Sequence, residues 1–214
     1  MESAPPDDPG GGEEERLLRE AARGDQEALR RLLEGHRGRL RRMVALRLDS
    51  RLAARVDASD VVQEAMLDAA RKLADYERER PLPLYPWLHR LAAERLAAAH
   101  RKHLCKNRSV DRERAECDCR DPSAALLVDQ LVAGDTTPGH HMLREEQRQR
   151  VREALGQLAA TDREVLVMRY LEDLTFPEIA AILGVSEGAA KMRHLRAIEK
   201  VRSLLKDDDS GPLR

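Results

Sequence analysis

Residues 179–196 read Ile179-Ala-Ala-Ile-Leu-Gly-Val-Ser-Glu-Gly-Ala-Ala-Lys-Met-Arg-His-Leu-Arg196 (IAAILGVSEGAAKMRHLR). The stretch starts apolar, breaks at Gly184 and resumes with cations among small residues. Two packed helices joined by a tight turn often carry glycine at the turn, and Gly184 stands there. Ala180, four residues earlier, is small enough to let the helices approach. Ile179, Leu183 and Val185 supply apolar contacts, and Ser186 can cap the second helix. At about 100° per residue, Ala190, Ala197, Ile198, Val201, Leu204 and Leu205 gather on one arc. Met192, Leu195 and Arg196 fall opposite, with Lys191 and Arg193 at the flanks. His194 falls on the apolar side and reads as packing.

Cations mixed with two outward apolar side chains are what a helix in the major groove needs. Arg and Lys serve phosphates or guanine edges, and apolar atoms serve thymine methyls. Charge alone would describe a solvated face. The glycine turn, the capping residues and the outward Met192 and Leu195 favour DNA.

The rest of the chain sets the context. It has 214 residues, with 42% hydrophobic, 36% charged and only 2% aromatic. Ala, Leu, Glu and Arg dominate, and these are strong helix formers; the chain reads as all-α. Net charge is -1, so any nucleic-acid signal must be local. Met1–Gly12 lacks an apolar core segment, which argues against a signal peptide, and no apolar run is long enough to span a membrane. Three cysteines, Cys105, Cys117 and Cys119, form no disulfide framework. A reducing cytoplasm is expected.

The periodicity suggests a first helix over Glu13–Arg23 and a second opened by Asp25 and Glu27. The second carries Leu29, Leu32, Leu33, Leu40, Val44 and Leu48 on one face, and Gly35 and Gly38 weaken its middle. Asp57 or Ser59 can cap a third helix, with Val61, Val62, Ala65, Met66, Ala69, Ala70 and Leu73 inward. The stretch 75–86, DYERERPLPLYP, has three prolines and reads as a loop. A fourth helix turns Trp87, Leu88, Leu91, Ala92, Leu96 and Ala99 inward and ends in the basic HRKHLCKNR. Residues 108–143 read as a flexible linker between two domains, with a short helix over Ala124–Val132. Amphipathic helix resumes over Arg144–Leu158. Thr161-Asp-Arg-Glu164 and Thr175-Phe-Pro-Glu178 both have capping-box spacing. The expected organisation is a disordered 1–12, helical domains over 13–107 and 144–206, and a polar tail over 207–214.

DASDVVQEAMLDAARKL, a loop, and WLHRLAAERLAAAHRKH together resemble domain 2 of the sigma-70 family. LAATDREVLVMRYLEDLTFPEIAAILGVSEGAAKMRHLRAIEKVRSLL is similar to sigma domain 4. Only these two domains and a linker are present, which resembles the extracytoplasmic-function group; details are similar to the sigma-like proteins abundant in planctomycetes. The resemblance implies a factor that binds core RNA polymerase and directs initiation by recognising -10 and -35 promoter elements. It implies polymerase contacts at Asp60, Gln63 and Glu64, against the beta-prime clamp coiled coil, and a further contact with the beta flap. It implies -10 contacts from the Trp87 helix, whose Arg95, Arg101, Lys102 and Lys106 suit a phosphate track. The loop over residues 77–85 would help hold an extruded base, although its prolines, with Tyr76 and Tyr85 nearby, depart from the common pattern. Lys191, Met192, Arg193, Leu195 and Arg196 match the -35 positions; Ala189 and Ala190 replace residues that are often larger. An anti-sigma factor is a further partner the resemblance implies.

Asp60 and Glu64 would also favour a helix N-terminus on their own, and Trp87 reads as core. His100, His103, Cys105, Cys117 and Cys119 lack zinc-site spacing, so neither metal nor cofactor is expected. No phosphate-cradling glycine loop or nucleophile elbow is present, so the chain reads as a non-enzyme. Two rivals stand beside the initiation factor. One is a polymerase-independent helix-turn-helix regulator that binds a palindrome as a dimer. The other is a non-initiating protein that docks only polymerase or an inhibitor.

Overall fold

The computed structural model describes residues 9–48, 50–104, 126–128 and 141–209. All the regular structure among them is helical: α1 (Pro9–Ala22), α2 (Gln26–Arg47), α3 (Ser50–Ala53), α4 (Ala58–Glu79), α5 (Leu84–Leu104), α6 (His141–Gly156), α7 (Ala160–Tyr170), α8 (Phe176–Leu183) and α9 (Glu187–Asp209). None of these helices is long and apolar enough to cross a membrane.

The first half is built on α2, α4 and α5. Asp25 caps α2 by accepting from the backbone N–H groups of Glu27 and Ala28. Asp57, not Ser59, caps α4, accepting from the Ser59 N–H at 2.6 Å. Both satisfy donors that a helix start leaves unpaired. α2 runs unbroken through Gly35 and Gly38. Its buried Leu32, Leu40, Met43 and Val44 meet Val62, Ala65, Ala69 and Leu73 of α4 and Leu88, Leu91 and Ala92 of α5 in one apolar cluster.

The expected loop over residues 75–86 is largely helical instead. α4 continues to Glu79, and α5 begins at Leu84. Pro81 sets the real break: the residue before it cannot continue a helix comfortably, and Arg80 turns left-handed with φ 40°. Pro86 is the third residue of α5, where the first-turn N–H groups lack intrahelical acceptors, so its missing donor costs little. Tyr76 and Tyr85 are buried. Tyr76 stacks on Trp87 at a centroid distance of 4.2 Å, and its hydroxyl donates to the Leu82 carbonyl at 2.9 Å. Burial pushes its pKa up to about 12. Trp87 is core, as its sequence context suggests.

In the second half, Thr175 and Glu178 form the expected capping box at the start of α8: the Thr175 N–H donates to the Glu178 carboxylate at 2.8 Å, and the Glu178 N–H to the Thr175 hydroxyl. The box expected at Thr161–Glu164 does not form. α7 starts at Ala160 with no side-chain cap, so Thr161 already lies inside the helix. The Glu164 carboxylate pairs with Arg47 instead. Arg163 closes this end by donating to the carbonyls of Leu155 and Leu158.

Residues 126–128 are helical, within the short helix expected over Ala124–Val132; the other residues of that stretch lie outside the described residues. Leu127 and Val128 are buried with Val151, Ala154, Leu155 and Leu158 of α6, Leu166 and Val167 of α7, and Ala197 and Val201 of α9. This part of the expected linker thus belongs to the second half's core. α6 likewise begins at His141, inside the expected linker. A further feature has no counterpart in the sequence reading: Val165, Met168, Leu174, Ile179 and Ala180 join the apolar cluster of α2, α4 and α5. The two halves are packed together, with α5 against α8.

Gly184 ends α8 with φ 64°, its N–H donating to the Ala180 carbonyl. A Cβ there would meet nothing within 4 Å, so Gly184→Ala isolates backbone strain. It should cost about 1–2 kcal/mol, read as a lower denaturation midpoint. Gly188→Ala, also in open space but inside α9, should be neutral or stabilise by up to about 1 kcal/mol.

Candidate nucleic-acid and polymerase interfaces

The turn at Gly184 delivers α9 across α8. Ser186 caps α9, its hydroxyl accepting from the Ala189 N–H at 3.2 Å. Ala190, Ala197 and Val201 are buried, which fixes the rotation of α9 and turns Met192 and Leu195 out, at 53% and 46% exposure. Arg196 is exposed beside them and Arg193 is half-buried. Lys191 is exposed and pairs with Glu187 one turn earlier at 2.6 Å. His194 packs as expected: its Nε2 lies 3.2 Å from the Tyr170 hydroxyl and its ring meets the edge of Phe176. Burial first, then Arg169, lowers its pKa.

Met192, Leu195 and Arg196 therefore share the outward side of α9, with Lys191 and Arg193 at its two flanks. Lys200 and Arg202 are exposed and extend that arc toward the C-terminus. Lys200 follows Arg196 by one turn, and Arg202 follows Leu195 by two.

On α4, Asp60, Gln63 and Glu64 are all exposed. At spacing i, i+3, i+4, i+7 they align with Leu67, which is 53% exposed. Leu67 is absent from the sequence reading, although that spacing from Asp60 points to it. The stripe is acidic and amide-bearing around one apolar side chain, a suitable face for a basic helix.

The cations of α5 divide. Arg95 is held by Asp68 of α4 and lies 3.8 Å from Glu64. Hydrogen bonding from Arg95 lowers the Asp68 pKa. Arg95 thus links the α4 stripe to α5 rather than standing free. Arg101 and Lys102 are exposed. Lys106 lies outside the described residues, as do Cys105, Cys117 and Cys119. Tyr76 and Tyr85, being buried, offer no ring to an extruded base. No cluster of metal-ligating side chains occurs among the described residues.

Between the halves lies a polar cluster. Glu172, only 3% exposed, follows α7. Its carboxylate receives Arg47 of α2 and accepts from His89 Nε2 of α5 at 3.0 Å. Arg47 also reaches Glu164. Arg39 donates to Glu178 at 2.7 Å and lies over the Tyr85 ring at 3.7 Å. The Tyr85 hydroxyl has no hydrogen-bond partner among the described residues.

The comparisons fit this geometry. Residues 32–104 match Sigma-70 region 2, and residues 148–201 match Sigma-70, region 4. The chain is 33% identical over 148 residues to RNA polymerase sigma factor CarQ of Myxococcus xanthus, covering 69% of this chain and 74% of that protein. It is 29% identical over 186 residues to ECF RNA polymerase sigma factor SigD of Mycobacterium tuberculosis, covering 87% and 81%. It is also 29% identical over 193 residues to the ECF RNA polymerase sigma-E factor of Escherichia coli, covering 86% and 90%. The structure of CnrH in complex with the cytosolic domain of CnrY shares the fold, with a TM-score of 0.53 at 23% identity, covering 92% of this chain and 99% of that one. The chain belongs to the sigma-70 family of RNA polymerase sigma factors, in its extracytoplasmic-function group. It binds RNA polymerase and directs initiation at particular promoters; the family consists of initiation factors rather than enzymes.

His89 gives the cluster a pH dependence. Its imidazole is held neutral, with a pKa lowered to about 3, by burial first and then by Arg47 and Arg39; Glu178 opposes this. The groups around it are Arg39 and Arg47 from α2, Tyr85 from α5 itself, Glu172 from the turn after α7, and Glu178 from α8. A buried neutral base binds fewer protons than the same base in water. Its contribution to stability is fully present above the free imidazole value near 6.5 and falls as pH drops toward 3. Between pH 7 and 5 the packed form should lose about 2 kcal/mol, measured by denaturant titration. His89→Gln should flatten that slope.

Proposed function

We propose that the exposed α4 stripe of Asp60, Gln63, Glu64 and Leu67 docks a basic helix of core polymerase, the beta-prime clamp coiled coil. In this reading Leu67 is the apolar anchor within an acidic face. The outward arc of α9 reads the -35 element: Arg193, Arg196, Lys200 and Arg202 serve phosphates or guanine edges. Met192 and Leu195 serve thymine methyls, and Lys191 exchanges Glu187 for DNA. Arg101 and Lys102 form the phosphate track beside the -10 element, with Arg95 positioning α5 against α4. Domain 2 then covers α1 to α5 and domain 4 covers α6 to α9, the latter also meeting the beta flap. An anti-sigma factor would act by covering the α4 stripe or the α9 arc. The work takes place where polymerase and chromosome are, in the cytoplasm.

The observation that carries this reading is the pairing of two outward faces, one acidic with an apolar anchor and one cationic with two, on a chain of this family. A dimeric operator-binding regulator would have no use for the first.

Core polymerase capture should separate the two faces. Asp60→Ala with Gln63→Ala should weaken capture at least tenfold, and Leu67→Ala should cost about 1–3 kcal/mol of binding. Unchanged affinity would remove the α4 assignment. Arg196→Ala should leave capture intact while abolishing -35-dependent run-off transcription; loss of both together would mean the helix had failed structurally. Arg101→Ala and Lys102→Ala should each reduce the slope of promoter affinity against salt by about one.

A further inference from the structure

Aromatic side chains are scarce in this chain, and they gather at two places. Tyr76, Tyr85 and Trp87 lie where α4 meets α5; Tyr170 and Phe176 lie under α9, against His194. The His194 Nε2 is 3.2 Å from the Tyr170 hydroxyl. Its ring centroid is 5.7 Å from that of Tyr170 and 5.4 Å from that of Phe176, edge to face. Both partners stand on a braced backbone. Tyr170 closes α7, and Phe176 follows the Thr175 cap of α8. Between them Arg169 donates to the Leu174 carbonyl and lies 5.4 Å from the Phe176 ring centroid.

Burial of Ala190 and Ala197 turns one side of α9 inward. Two methyl groups set that rotation only to within a side chain's width, because they offer no ridge against a small further roll. Base reading needs more. A side-chain tip stands about 5–6 Å from the helix axis, so a roll of ~20° moves it by about 2 Å. A hydrogen bond to a base edge does not survive that displacement. His194 lies at the edge of the inward arc, one turn after Lys191, whose ammonium is 6.0 Å from the same Phe176 ring. There it gives α9 a directional contact that a roll would break.

We infer that His194 is a positioning residue for -35 reading: held between Tyr170 and Phe176, it sets the roll of α9 and so the places where Met192, Leu195 and Arg196 meet the bases. The inference rests on the -35 assignment proposed above and adds residues that touch no DNA in it. Burial first, then Arg169, lowers the His194 pKa and keeps the ring neutral. A neutral imidazole carries one N–H and one bare nitrogen, and the Tyr170 hydroxyl can meet either.

Holoenzyme assembled with each variant would be titrated against a promoter it has selected from random-sequence DNA, and against that promoter with only its -35 element scrambled. The ratio of the two dissociation constants is the readout. A merely destabilised second half lowers the active fraction for both DNAs and leaves the ratio alone. Tyr170→Phe removes only the hydroxyl and should lower the ratio about two- to tenfold, the equivalent of one net hydrogen bond. His194→Ala should lower it further. His194→Gln, whose amide nitrogen stands near the position of Nε2, should keep it within about twofold. The slope of affinity against salt should not change in any of them, since no phosphate contact is removed.

The free chain supplies a second readout. Spin labels at Gln157→Cys and Leu195→Cys, both exposed, after Cys105, Cys117 and Cys119 are replaced by Ser, report a distance whose distribution Tyr170→Phe should widen. Two results would overturn the inference: an unchanged ratio with folded Tyr170→Phe, or a His194→Gln that loses as much as His194→Ala. Should His194→Ala fail to fold by circular dichroism, Tyr170→Phe decides. Should the unmodified holoenzyme show no preference for the intact -35 element, the -35 assignment falls. The label distances then still judge His194, a widened distribution supporting its hold on α9 and an unchanged one removing it.

Discussion

A carboxylate cannot be buried alone, and the packing between the two halves is organised around a buried one, Glu172, and the partners it requires. Glu172 is placed by a tight turn after α7: its N–H donates to the Val167 carbonyl, Asp173 adopts φ 59°, and the Leu174 N–H returns to the Met168 carbonyl. Arg169 braces the turn by donating to the Leu174 carbonyl at 2.9 Å. The carboxylate therefore has little freedom, and Arg47 and His89 must come to it. An apolar patch alone would tolerate several rotations of α8 on α5. A buried ion with two directional partners tolerates far fewer, because every other register leaves it unpaired.

The same few residues also set the α8–α9 unit. Glu178 completes the capping box at Thr175 and accepts from Arg39 on the other half. Burial pushes its pKa up, but the hydrogen bonds from Thr175 and Arg39 outweigh that and leave it lowered. Thus α8 is anchored at its start from two directions, by its own cap and by the first half. Its far end is set by Gly184, which fixes where α9 begins. The rotation of the α9 arc then follows from the burial of Ala190, Ala197 and Val201. Small residues there bring α9 close, and small size at position 190 suits a helix packed tightly against its partner.

What the sequence disclosed follows from which forces are local. The Gly184 turn, the Thr175 box, the Ser186 cap and the α9 arc are set by neighbours within one or two turns, so periodicity and capping chemistry reveal them. The α4 core face is equally plain, because its apolar spacing is regular. Misreadings arose where a distant partner decides. Thr161 and Glu164 have capping-box spacing, yet Arg47 takes the carboxylate and the helix starts earlier. The prolines over residues 81–86 suggested a long loop, but only Pro81 breaks the helix, since Pro86 occupies a first turn that needs no donor. Nothing local in LEDLT marks Glu172 as buried, because its partners are more than eighty residues away. Leu67 and Lys200 were within reach of the helical wheel and required only that it be carried further.

Neither proposed contact surface is hidden by the closed packing. Asp60, Gln63, Glu64 and Leu67 are exposed, as are Met192, Leu195 and Arg196. The charged cluster around Glu172 and the two outward faces therefore occupy separate parts of the molecule: burial and ion pairing fix how the halves pack, while both faces stay free for partners.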